Sequence, residues 1–74
     1  MLFKKTISFT VARDDLTRVI DRFVRDIQME ISASRAKGYY VVSIHCDSQK
    51  TKYYLNSLME LVRYGSGVHN INIY

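Results

Sequence analysis

The sequence predicts an α/β protein, a single small βαβαβ domain built on a three-stranded parallel sheet with two helices packed on one face. Three observations predict it. Alternating segments open and close the 74-residue chain, a β-prone run occupies its middle, and two stretches with apolar residues three and four apart separate them.

The first strand comes from Phe3, Lys5, Ile7, Phe9 and Val11, which alternate with Lys4, Thr6, Ser8 and Thr10. Period two with aromatic and β-branched residues is the pattern of a strand with one buried face. From Leu16 the spacing changes, and Leu16, Val19, Ile20, Phe23, Val24, Ile27 and Ile31 make the apolar stripe of a long amphipathic helix. Asp14 and Asp15 stand where an N-cap and first-turn acids belong, and Arg35 and Lys37 precede Gly38, a C-cap glycine. The run "YYVVSIHC", Tyr39 to Cys46, reads as a central strand. Ser48 offers an N-cap to a second helix with Tyr54, Leu55, Leu58, Met59, Leu61 and Val62 on its apolar side, ended by "GSG" at Gly65 to Gly67. The last strand alternates His69, Ile71 and Ile73 with Val68, Asn70, Asn72 and Tyr74.

Each helix returns the chain to where the previous strand began, so the strands are expected to run parallel through right-handed crossovers. Strand order 1-2-3 puts both helices on one face, and order 2-1-3 puts one on each. Lys4, Thr6, Ser8, Thr10, Asn70 and Asn72 are too polar for a doubly covered sheet and favour the first order. Residues 1–74 then form one compact domain with a bare sheet face.

Composition narrows the function classes. Hydrophobic residues make up 47% of the chain and charged residues 24%, the balance of an ordinary globular protein. A lone cysteine excludes an internal disulfide, which points to a reducing, cytoplasmic location. Charges interrupt every apolar run, so no membrane-spanning segment is expected. A net charge of +4 favours an acidic partner.

Catalysis finds little support. His45 and Cys46 are adjacent on an extended strand, so their side chains point to opposite faces and cannot act as base and nucleophile. His45 and His69 belong to distant ends of their strands, about 20 Å apart at roughly 3.3 Å per residue, which argues against a shared metal. A parallel sheet gathers Asp14, Asp15, His45, Asp47, Ser48 and Lys50 at the carboxyl edge, where a small ligand would bind. These residues are also what helix starts require. No phosphate-binding glycine loop, nucleophile elbow or zinc-binding histidine pair is present, so neither an enzymatic activity nor a cofactor is expected.

A parallel sheet is rarely left bare on one side. The expected function is therefore that of a small accessory or regulatory protein that binds another protein, an inhibitor masking a partner's surface being one form. Lys4, Thr6, Ser8, Tyr39, Val41, His45, Asn70, Asn72 and Tyr74 on the open face, or an outer strand, would make the contact, with the chain itself a homodimer. The alternative is a nucleic-acid-binding module in which Lys4, Lys5, Lys37 and Arg63 meet phosphates and Tyr39 and Tyr74 stack bases.

Overall fold

The computed structural model describes residues 4–22, 28–65 and 67–74. The chain forms strand β1 (Lys4–Ala12), a 3-10 turn (Arg13–Asp15) leading into helix α1 (Leu16–Ile20), strand β2 (Gln28–Ala33) and strand β3 (Tyr39–Asp47). A second 3-10 turn (Ser48–Lys50), helix α2 (Thr51–Arg63) and strand β4 (His69–Ile73) complete it. The four strands lie in the order β2-β3-β1-β4, and every neighbouring pair is antiparallel. This corrects the expected three-stranded parallel sheet.

The difference arises from one segment. Gln28–Ala33 falls in the second half of the expected long helix but is a strand, paired with β3 from Gln28 opposite His45 to Ala33 opposite Tyr40. Ile27 and Ile31 are four residues apart, which a helix and a strand both accommodate on one side. Met29 decides between them: a helix would put it off the stripe, whereas a strand aligns Met29, Ile31 and Ala33 against Gln28, Glu30 and Ser32. Of the remaining stripe, Leu16, Val19 and Ile20 are helical, while Phe23, Val24 and Ile27 lie outside the described residues.

With β2 added, each strand-helix-strand passage leaves a gap that a strand from the other half fills. β3 lies between β1 and β2, and β1 lies between β3 and β4. This is the split βαβ arrangement of ferredoxin-like folds. The two halves enter their helices by the same backbone geometry, Ala12 at φ −64°, ψ 143° and Asp47 at φ −65°, ψ 147°. Neither helix start is capped by a side chain, so the expected caps at Asp14, Asp15 and Ser48 are not made. Gly38 does not end a helix either; at φ +86° it turns the β2–β3 hairpin, with Ser34 N–H donating to Tyr39 O at 3.2 Å.

One core joins the layers. Ile7, Phe9 and Val11 of β1 and Val42, Ile44 and Cys46 of β3 share a face and are buried with Val19 of α1, Tyr54, Leu58 and Leu61 of α2, and Val68. Each such aliphatic side chain contributes roughly 1.5–3 kcal/mol by leaving water. Among the described residues, no helix is long and apolar enough to cross a membrane.

Candidate interaction surface

Strand pairing lays the face opposite the core out in rows. Gln28, His45, Thr6 and Tyr74 form the first, Glu30, Ser43, Ser8 and Asn72 the second, and Ser32, Val41, Thr10 and His69 the third. Tyr39 and Ala12 close the grid at the hairpin end. The face is built almost entirely of hydroxyl, amide and imidazole groups. His45 is its best-connected residue: Nδ1 shares a hydrogen bond with Thr6 Oγ1 at 3.0 Å, and Nε2 lies 3.8 Å from Glu30 Oε2. At the far end the Tyr39 and His69 rings meet edge to face, with centroids 5.4 Å apart.

Of the residues expected to bind a partner, Thr6, Ser8, Tyr39, Val41, His45, Asn72 and Tyr74 share this face. Lys4 lies at the start of β1, opposite Asp47. Asn70 departs from the grid. The register of β4 against β1 shifts between Ser8 and Thr10, and Asn70 there adopts φ 54°. The sheet's antiparallel character also removes the reason for expecting that face to be covered, since antiparallel sheets commonly present one polar face to water.

The other expected clusters are divided by the antiparallel register. Asp14 and Asp15 follow Ala12, opposite Tyr39, whereas Asp47, Ser48 and Lys50 lie at the other end of the sheet beside Lys4. No common carboxyl edge exists. The basic set separates likewise: Lys4 and Lys5 lie at the Asp47 end, and Lys37 lies in the hairpin turn at the Ala12 end. Arg63 ends α2 shortly before Gly67, which packs against Ala12 and Asp15, so it belongs to the Lys37 end. Lys5 shares the side of Ile7, Phe9 and Val11 and so lies off the open face. Tyr39 and Tyr74 stand at opposite ends of that face, about 20 Å apart at the usual strand rise. Arg13 joins Lys37 and Tyr39 around a shallow groove at the hairpin end. Among the described residues, no three metal-ligating side chains converge.

The feature that sequence reasoning missed is the outer edge of β2. Thr6 and Tyr74 exchange both backbone bonds, with Tyr74 N–H donating to Thr6 O at 2.8 Å and Thr6 N–H to Tyr74 O at 3.3 Å. Hydrogen-bonded and non-bonded pairs alternate along an antiparallel ladder. Even-numbered residues of β1 therefore bond β4, and odd-numbered ones bond β3. By the same alternation Gln28, Glu30 and Ser32 bond β3, in step with the Ser34–Tyr39 bond, while Met29, Ile31 and Ala33 aim their N–H and C=O groups outward. Ile31 is 46% exposed. The period-two pattern of residues 28–33 was the available signal.

Protein-family models, curated proteins and solved structures were all compared with this chain, and none matches it.

Proposed function

We propose that this protein is a small non-enzymatic accessory or regulatory module of the cytoplasm that acts by protein–protein contact and is itself a homodimer. The observation that supports this reading most is the outer edge of β2, where the outward backbone groups meet no further strand among the described residues and lie beside a half-exposed isoleucine. Such an edge is a template for another strand, and natural proteins usually blunt it with lysine, proline or a bulge. Gln28–Ala33 contains none of these. Strand addition draws its affinity from main-chain bonds and its selectivity from alternate side chains, here Met29, Ile31 and Ala33 on one side and Gln28, Glu30 and Ser32 on the other.

The test is capture of partners from an extract of the native host on the immobilised full chain, with and without nuclease, beside an Ile31→Lys variant shown to be folded. A protein retained through nuclease treatment and lost with the variant supports the reading. Retention that nuclease abolishes, or that the edge variant leaves unchanged, contradicts it.

One observation favours nucleic acid as a second reading. Tyr39, whose ring meets His69 edge to face, shares a groove with Arg13 and Lys37, neither of which makes an ion pair among the described residues. Aromatic faces flanked by unpaired cations suit a single strand. That reading requires binding that falls steeply as salt is added.

A further inference from the structure

The sheet has two outer strands, and they differ. β4 is shifted in register against β1 and carries a left-handed Asn70 whose carbonyl accepts a bond from Asn72 Nδ2 at 3.1 Å. A bulged edge that bonds its own carbonyl is a poor template. β2 pairs with β3 without a register shift over its whole length and leaves every second residue's backbone pointing outward.

We propose that a second copy of this chain docks on β2, the two strands pairing antiparallel about a two-fold axis through Ile31 so that two four-stranded sheets become one continuous sheet. The proposal rests on the homodimeric reading above and adds its interface and register, the second copy being the strand that this edge accepts and a foreign strand its competitor. A two-fold contact must be self-complementary. Centred on Ile31, the pairing sets Ile31 against Ile31 of the second copy and Met29 against its Ala33, in both directions. All the outward N–H and C=O groups of the strand then find partners. Slipping two residues one way sets Glu30 against Glu30 of the second copy, a like-charge pair; slipping two the other way carries Met29 onto Arg35 in the hairpin turn. Odd slips set outward groups against inward ones. Only the Ile31 register satisfies the whole edge.

Charge points to the same segment. Each copy carries +4, so two copies repel unless they meet where cations are absent, and Gln28–Ala33 contains no lysine or arginine. In the paired state Glu30 lies opposite Ser32 of the second copy and keeps its own neighbour His45. A contact made by one short strand is small, which places the association among weak, reversible ones.

Sedimentation equilibrium of the full chain, from micromolar to millimolar protein, tests the proposal. A monomer–dimer equilibrium is expected. Ile31→Lys sets two ammonium groups across the axis and should weaken it about tenfold or more. Ile73→Lys alters an isoleucine of nearly the same exposure on the other edge, 45% against 46%, and should leave it unchanged. Circular dichroism establishes that both variants are folded. Wild-type protein that stays monomeric throughout overturns the proposal and the homodimeric reading together. A dimer that persists in Ile31→Lys, or is lost in Ile73→Lys, overturns the β2 interface and leaves the homodimer standing. If Ile31→Lys does not fold, amide exchange in the unmodified protein decides: protection at Met29, Ile31 and Ala33 that grows with concentration supports the interface, and protection independent of concentration overturns it.

Discussion

Gly67 is the residue whose replacement has the clearest expected cost. Its φ of +78° is left-handed, and a Cβ there would fall 3.2 Å from Ala12 Cβ and 2.6 Å from Asp15 Oδ2. Gly38 has a similar φ of +86° but nothing near its missing side chain. Gly38→Ala should therefore cost only the left-handed strain, about 1–2 kcal/mol, and Gly67→Ala more than that, as read by urea unfolding. Equal losses would mean that the approach of Ala12 and Asp15 does not limit the site. Cys46 supplies a second test. It is 7% exposed in the core, with Sγ 3.8 Å from Thr51 Oγ1, so a thiol reagent should modify it only as fast as the protein opens. Rapid modification of folded protein would contradict its burial. The opposed directions of His45 and Cys46 were legible from strand alternation alone. The partners of His45 were not, because Thr6 and Glu30 reach it from strands whose pairing is decided far away in sequence.

At the scale of elements, β1, β3 and α2 were legible because each carries a signal that favours one kind of element. Residues 4–12 alternate, residues 39–46 are a continuous β-prone run, and α2 sets Tyr54, Leu58 and Leu61 on its buried side. Leu58 has no exposed surface, so Leu58→Ala should cost about 2–5 kcal/mol in denaturant unfolding. Met59, on the same helix but 53% exposed, should lose within about 0.5 kcal/mol when cut to alanine. Similar losses at both positions would mean that α2 packs through a different face. β2 was not legible for the opposite reason. It is six residues long, continues a helical stripe through Ile27 and Ile31, and is followed by a glycine that suits a helix C-cap and a hairpin turn equally, since both need φ above zero.

At the scale of the molecule, that one short strand converts a parallel sheet into an antiparallel one. With it the grounds for the expected sites change: the bare face no longer has to be covered, the acidic and basic edges divide between the two ends, and the β2 edge, without a further strand among the described residues, becomes a surface of interest. The charge of the whole chain then predicts how salt acts. Two copies at +4 repel at long range, and their contact is made by backbone groups and an isoleucine. Raising the salt from about 50 mM to about 500 mM should leave dimerisation unchanged or tighten it, because screening weakens the repulsion. Measured by sedimentation, steep weakening with salt would instead mean that opposite charges hold the copies together.

Everything inferred about the edge depends on Gln28–Ala33 being a strand laid antiparallel on β3. Nuclear Overhauser contacts between α-protons test this most directly, since they are strong across the non-hydrogen-bonded pairs of an antiparallel ladder, where Cα atoms are about 4.5 Å apart. The structure predicts α-proton contacts between Met29 and Ile44 and between Ile31 and Val42. Helical contacts running through residues 28–33, with those cross-strand pairs absent, would contradict it.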